Sequence, residues 1–298
     1  MHWYQLGSWK VCSSLSLPWL STSVDGIGDP DILIETGTFP VPDSVPLVHT
    51  VLVDVHPECA IVRIPSLVSF KVENSGKRIV VDIQRGVDPA EIQPFLLGIG
   101  LALSCYQRGL IPLNGCAVSK ENIAVAILGR SGCGKSTLAA AMVNRGYKLV
   151  SDDILILDPD TGYVTPTYPI LGLWQDSIRM LGILSGHLKR MRPGLEKWSL
   201  PVQGVFHDQH CHLKSVILLS SQLATSPKIS RLNSVPALAK VHSRLYSPRL
   251  ARMPGMQQRS FATCNRLIEQ ASVFEVNRTA ERNDLNTLID LIEAAVIG

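Results

Sequence analysis

One octapeptide constrains this chain more than any other stretch: Gly129-Arg130-Ser131-Gly132-Cys133-Gly134-Lys135-Ser136. It fits G-x-x-x-x-G-K-[ST], the pattern of a phosphate-binding loop. The apolar run Ile123 to Leu128 ahead of it predicts a buried strand, and Thr137 to Asn144 behind it predicts a helix. Gly132 and Gly134 allow backbone angles that a Cβ would forbid, so successive N–H groups can turn inward around phosphate oxygens. The helix N-terminus adds partial positive charge at the same place. Lys135 can reach β- and γ-phosphates, and the Ser136 hydroxyl can ligate Mg²⁺. The nucleotide contacts expected are therefore Gly129, Arg130, Ser131, Gly132, Cys133, Gly134, Lys135, Ser136 and Thr137. A thiol at a helix N-terminus has a lowered pKa, so alkylation of Cys133 is expected to inhibit and ATP to protect.

A second feature follows at once. Gly146 ends the helix, Tyr147 to Val150 predicts a short strand, and Ser151-Asp152-Asp153 precede another apolar run, Ile154 to Leu157. Adjacent carboxylates raise one pKa unless a cation lies between them. In such a place one aspartate can hold Mg²⁺ through water while the other accepts a proton from an attacking hydroxyl.

From Gly129 to Asp153, with Arg-Gly-Tyr-Lys-Leu-Val-Ser-Asp-Asp following the loop helix, the chain resembles the bacterial HPr kinase/phosphorylase family. It resembles most the stand-alone relatives encoded beside peptide-biosynthesis genes, including kinases of lasso-peptide precursors. The resemblance extends over 111–298; Tyr4-x-x-Gly7 and Asp29-Pro-Asp-Ile-Leu-Ile34 are similar to an N-terminal segment of those relatives. It implies an α/β fold: a P-loop kinase core of the HPr kinase/phosphoenolpyruvate carboxykinase type, with a smaller β-rich N-terminal segment. It also implies ATP- and Mg²⁺-dependent phosphorylation of a serine on a peptide or small protein. Under it Asp152 is the general base and Asp153 the Mg²⁺-side carboxylate, beside the Lys135 and Ser136 that the loop motif itself supplies. One position departs from the family. Asn114-Gly115 stands where a His-Gly or His-Ala pair is usual, and an asparagine cannot trade a proton at neutral pH, which argues against the reverse, phosphorolysis reaction. The nearest candidate for the family's Glu–Arg signature is Glu196-Lys197.

Composition sets bounds around this reading. The chain has 298 residues, 46% apolar and 18% charged, which is globular and not disordered. A net charge of +3 does not by itself argue for nucleic acid. Seven scattered cysteines without a C-x-x-C favour reduced thiols and a cytoplasmic protein. Met1 to Leu20 does not read as a signal peptide, and Phe95 to Tyr106 is too short to span a bilayer. No membrane or nucleic-acid partner is expected; a homo-oligomer is compatible with the sequence.

In chain order, residues 1–88 predict short strands at Ile32–Ile34, Thr50–Val55, Ala60–Ile64, Val68–Val72 and Arg78–Ile83, with a hairpin at Ser75–Gly76. Asp54, His56 and Glu58 alternate as a strand leaving its sheet would. Asp88-Pro89-Ala90-Glu91 starts a helix that runs to about Gln107 and closes at Gly109, linking the two regions over 89–110. Ile111–Val118 and Ile123–Leu128 are strands joined at Ser119–Asn122. Asp158 to Gly162 is a turn, Tyr163–Thr167 a strand, and Pro169–Trp174 leads into a helix from Asp176 to about Leu184. His187 to Lys197 reads as a basic loop, with Lys197 and Arg192 as candidates to neutralise a transferring phosphoryl group. His207, Asp208, His210, Cys211 and His212 read as the approach to the strand Val216–Leu219. Gln209 to Ile268 contains no Asp or Glu, a one-sign field that attracts ATP, an acidic peptide, a peptide C-terminal carboxylate or nucleic acid, and its sparse aromatics favour phosphate or peptide over stacked bases. Within it, 248–255 predicts an exposed loop, followed by a helix Ser260–Ala271, a strand Val273–Val276 and a helix Leu285–Val296.

Three functions are compatible with these features: a peptide or protein serine kinase, a nucleotide-dependent regulatory or peptide-binding module with little turnover, and a small-molecule hydroxyl kinase. The first accounts for most of the residues.

Overall fold

The computed structural model describes residues 1–23, 28–158, 160–184, 186, 188–192, 194–222, 224–279 and 284–296. Pro159 of the expected turn, and His187 and Pro193 of the expected basic loop, lie outside the described residues. Among the described residues the N-terminal region is a nine-stranded sheet. Its spatial order is Ser21–Thr22, His2–Leu6, Trp9–Ser13, Ile32–Thr36, Arg78–Ile83, Val68–Glu73, Cys59–Ile64, Val53–Val55 and Val48–His49. From Arg78 back to Val48 the strands form an antiparallel meander. Val68, Phe70 and Val72 point into the core while Ser69, Lys71 and Glu73 face outward, the period of two that a half-buried strand requires. Asn74, Ser75 and Gly76 all take left-handed angles, making the tight turn expected at Ser75–Gly76. The first hairpin, His2–Leu6 with Trp9–Ser13, was not anticipated.

A helical segment bridges to the second sheet. It runs as an α-helix over Pro89–Phe95, a π-helical turn over Leu96–Gly100 and an α-helix over Leu101–Gln107. Asp88 caps it by accepting from the Ala90 N–H at 2.8 Å. The apolar stretch Phe95 to Tyr106 is thus a core helix, and no helix among the described residues is long and apolar enough to cross a membrane.

The second sheet is ordered Ile123–Gly129, Ile111–Lys120, Ile154–Leu157, Tyr163–Thr165, Cys211–Leu219, Ser272–Asn277 and Lys228–Arg231. The strand Lys148–Ser151 also pairs with Ile111–Lys120, and Ile123–Gly129 returns to pair in parallel with Cys211–Leu219, closing a ring. Alternation divides its residues between two cores. Ala117, Ala124, Ala126, Val216 and Leu218 face the core shared with the bridging helix, the N-terminal sheet and the helix Met256–Gln270. Cys116, Val118, Val125, Ile127 and Ile217 face the helices Lys135–Asn144 and Asp284–Val296. The shared core runs without a break from Phe70 through Ile92 to Ala117. The architecture is α/β with a P-loop core, as expected, and the N-terminal region is strand-rich.

Four expectations change. Pro169–Trp174 is not a lead-in: Ile170–Trp174 is a strand in a small three-stranded sheet, because its apolar residues are covered on the loop-helix side. The helix after it stops at Met180, two residues ahead of the left-handed Gly182. The basic loop is a hairpin, Lys189–Arg190 against Lys197–Pro201, which completes that small sheet. Residues 248–255 are not wholly exposed, since Leu250 and Ala251 are buried. The strand Lys228–Arg231 and the helix Ser234–His242 lacked a sequence signal strong enough to predict them.

Candidate active site

The octapeptide forms the turn between the strand Ile123–Gly129 and the helix Lys135–Asn144. Gly132 has φ of 80° and Gly134 of 100°, both in the region an L side chain avoids, and a Cβ at Gly132 would point into open space. The backbone therefore opens outward into a concave run of N–H groups at a helix start, the geometry that holds phosphate. Arg130 and Ser131 are exposed on the rim. Lys135 is buried and its Nζ donates to the carbonyls of Gly129 at 2.9 Å and Arg130 at 3.1 Å. Two of its three protons are thus spent on fixing the loop, which leaves one for an anion.

Cys133 behaves differently from expectation. Its side chain is 3% exposed and packs inward with the apolar core under the loop helix. A Cβ on Gly129 would sit 2.5 Å from its sulfur, so the glycine exists to let the thiol tuck beneath the strand. Proximity to a helix start does not make a thiol reactive when no reagent can reach it. The Cys133 contribution to a nucleotide would be its backbone.

The two aspartates emerge where Lys148–Ser151 ends, beside the loop helix. Asp152 is 3% exposed and both of its oxygens are occupied. Oδ1 accepts from Ser136 Oγ at 2.8 Å, and Oδ2 accepts from the Gly172 N–H at 2.7 Å. Burial pushes its carboxyl above the ordinary aspartate value; the charge of Lys197, the Gly172 N–H and the Ser136 hydroxyl pull the other way, and the neighbouring Asp153 adds to the rise. Asp153 is half-buried and takes a left-handed φ of 67°. This turns consecutive side chains apart and leaves Asp153 outside the Ser136 contact.

Lys197 is brought to this pair by the hairpin. The strand Lys197–Pro201 pairs with Ile170–Trp174 so that Ser199 lies opposite Gly172. A Cβ on Gly172 would meet Lys197 Cε at 2.7 Å and Nζ at 3.0 Å, so only glycine lets the ammonium settle over the peptide that binds Asp152. Arg192, five residues away, goes elsewhere: its guanidinium lies 5.5 Å from the Phe95 ring. Glu196 turns outward to Arg190 at 2.6 Å, so Glu196-Lys197 does not act as a pair at the site. Asn114 pairs across the sheet with Ile154, next to Asp153, and its Oδ1 is buried with no partner among the described residues.

Two contributors escaped the sequence. Arg278 donates from Nε to the Cys133 carbonyl at 3.0 Å, placing a guanidinium beside the loop. No motif marks it; the parallel pairing of Ser272–Asn277 with Cys211–Leu219 delivers it from the far end of the chain. Thr137 and Ser177 share a hydrogen bond of 2.6 Å, tying the loop helix to the helix Gln175–Met180. Next to the loop lies a cavity of about 410 Å³, walled by Gly132, Gly134, Trp174, Met180 and Leu288, with Arg278 at its edge. Among the described residues no three His, Cys, Asp or Glu side chains gather as a metal cluster. Asp54 is taken by Arg63 and His49, and His56 by Ser44.

Strand, glycine loop, lysine, hydroxyl and buried carboxylate together define a nucleotide-phosphate site of the P-loop class. Comparison with known proteins agrees over part of the chain. A family profile described as Helicase HerA, central domain, matches residues 122–200, the stretch that carries the loop and the aspartates. HPr kinase/phosphorylases of Clostridium botulinum (strain Eklund 17B / Type B) and Clostridium beijerinckii are 31% and 33% identical over 72 residues. That match covers 24% of this chain and spans about a quarter of the length of those curated relatives. The chain is thus distantly related to HPr kinase/phosphorylases. A solved Hpr(Ser) kinase/phosphatase from Coxiella burnetii superposes with a TM-score of 0.30 at 13% identity, covering 63% of this chain and 99% of that one. At that score the superposition carries no weight, and the class rests on the loop geometry.

Proposed function

We propose that the protein is an ATP-dependent kinase that phosphorylates a serine hydroxyl on a peptide or small protein. The observation that carries this reading is the 2.8 Å contact between Ser136 Oγ and Asp152, directly behind the glycine loop. A hydroxyl and a carboxylate at that spacing are the pair that P-loop proteins use to hold Mg²⁺ against nucleotide phosphates. The metal, when bound, neutralises charge shared between the β- and γ-oxygens.

The two aspartates divide the work. From the resemblance Asp152 was expected to be the base and Asp153 the metal-side carboxylate. The Ser136 contact and the near-complete burial of Asp152 favour the exchange of these roles. Asp152 belongs with the metal, and Asp153, half-buried and turned out of that contact, is the carboxylate an acceptor can approach. Asp153 takes the proton of the serine hydroxyl; the oxygen bonds to the γ-phosphorus; the bond to the β-phosphate oxygen breaks and ADP leaves. Lys197, Lys135 and Arg278 compensate the charge on the transferring group. The apolar wall of Trp174, Met180 and Leu288 offers a nucleobase a surface. A ribosomally made precursor peptide, of the lasso kind, is the acceptor the resemblance favours.

The test is incubation with γ-labelled ATP and Mg²⁺ alongside four acceptors: a serine-bearing precursor peptide, an HPr protein, free serine and duplex DNA. Label on a protein or peptide serine supports the proposal. Tight ATP binding without transfer supports a regulatory module. Transfer to free serine alone supports a small-molecule kinase, and ATP hydrolysis stimulated by DNA supports a nucleic-acid motor.

A further inference from the structure

A groove of about 400 Å³ opens where the far edge of the N-terminal sheet meets the bridging helix. One wall is apolar: Val51, which is 93% exposed, Leu52, 41% exposed, and Phe95 and Ile99 of the helical segment. The other wall is Tyr246 to Arg249. Val51 and Leu52 thus stand open to solvent beside Phe95, a ready seat for one apolar side chain of a partner.

Two connections tie the groove to the candidate active site. The hairpin that carries Lys197 to Asp152 also carries Arg192 to the Phe95 ring on the groove wall. Tyr246 donates its N–H to the Pro112 carbonyl at 2.9 Å, and Pro112 lies on the strand whose Asn114 faces Ile154, the residue after Asp153. The groove is therefore joined through Tyr246 to the strand that pairs with the residue after the proposed base. Charge names the occupant. Arg249 lines the groove, Arg192 flanks it, and among the described residues no carboxylate lines it. Asp54, on the strand next to Val53, is already matched by Arg63 and His49. The wall supplied by 246–249 belongs to the stretch that contains no acid from Gln209 to Ile268.

We propose that this groove docks an extended acidic segment of the acceptor, with one apolar side chain seated against Val51, Leu52 and Phe95 and flanking carboxylates on Arg192 and Arg249. The proposal deepens the kinase reading and rests on it for the nature of the occupant. Opposite charge sets orientation and partner choice, and the buried apolar side chain supplies the anchor.

The probe is a fluorescein-labelled peptide with one Phe between two runs of Glu, titrated against the full chain by anisotropy. The same peptide with Lys for Glu, and with Gly for Phe, are the controls. We expect the acidic Phe peptide to bind at least about tenfold tighter than either control, and to weaken as salt is added. Arg249→Glu and Val51→Asp, both at exposed positions, should each weaken it about tenfold or more while ATP binding is unchanged. Equal binding of acidic and basic peptides, or full affinity in both variants, would overturn the proposal. A dimer in sedimentation that Val51→Asp dissolves would overturn it too, because a second copy would then be the occupant. The two readings fail separately. Peptide capture with no phosphoryl transfer to any acceptor removes the kinase and keeps the groove. Transfer with an acceptor KM unmoved by both variants removes the groove and keeps the kinase.

Discussion

The glycine loop and the basic hairpin both serve the same carboxylate, one with a hydroxyl and the other with a charge, and they are built in opposite ways. In the loop, Lys135 and Ser136 adjoin the glycines that position them, so neighbouring residues act on neighbouring atoms. In the hairpin, Lys197 and Arg192 are five apart in sequence yet one lies over Gly172, where its charge is felt by Asp152, and the other on a phenyl ring of a different surface. Chemistry placed by local backbone survives in any fold that keeps the turn. Chemistry placed by strand register depends on every pairing around it.

The largest effect that tests this contrast is at Asp152, where both constructions meet. Asp152→Asn should lower turnover by about 10³-fold or more, read in the labelled-ATP assay, and raise the Mg²⁺ concentration needed. Asp153→Asn should lower turnover comparably with the Mg²⁺ requirement unchanged; the opposite pattern returns the roles to the original expectation. Asp152→Asn should also stabilise the protein at neutral pH. The folded pKa of Asp152 lies above its ordinary value, mainly through burial, so its contribution is fully present below the unfolded aspartate range and is lost as pH rises through the folded value. A neutral amide escapes that loss; it can accept from the Gly172 N–H and donate to Ser136. Melting curves of both proteins across that range, without nucleotide, should converge in acid and separate above it.

At the hairpin, Lys197→Ala should cost about 10²-fold in kcat with little change in ATP affinity. Gly172→Ala sharpens the point without touching a charge. The new methyl meets only the flexible ends of Lys197 and Met191, so the protein should fold, displace the ammonium and lose about tenfold in turnover. Equal activity in this variant would mean that Lys197 does not act where the structure holds it. Native thiol titration is a smaller test: all seven cysteines are buried, so a charged disulfide reagent should label none rapidly, with or without ATP. The smallest effect is at Arg190→Ala, which removes an exposed pair with Glu196 and a contact with the Trp198 ring and should change stability by no more than about 1 kcal/mol in a denaturant titration.

This contrast also explains what the sequence could and could not disclose. The loop, its flanking strand and helix, and the Asp152-Asp153 pair were legible because glycines and short apolar runs carry their own geometry. The strands Val68–Glu73 and Arg78–Ile83 were legible because short β-branched runs flank a tight turn, and the first of them also alternates. Ile170–Trp174 was missed because its residues are buried on both sides and show no period, and a following helix masked it. Arg278 was illegible, since only the parallel pairing of distant strands takes it to the loop. Cys133 was misread because a position along the chain said nothing of which way the side chain turns.

The strand Ile170–Trp174 holds a further lesson. Its Gly172 N–H fixes the Asp152 carboxylate, its hairpin partner delivers the ammonium, and the helix that continues from it grips Thr137 at the root of the glycine turn. Five residues thus serve as a gauge block between nucleotide and acceptor chemistry. A single inserted residue there would flip the gauge to its other face and unseat all three fittings together, so the contacts on both sides set the length of this strand.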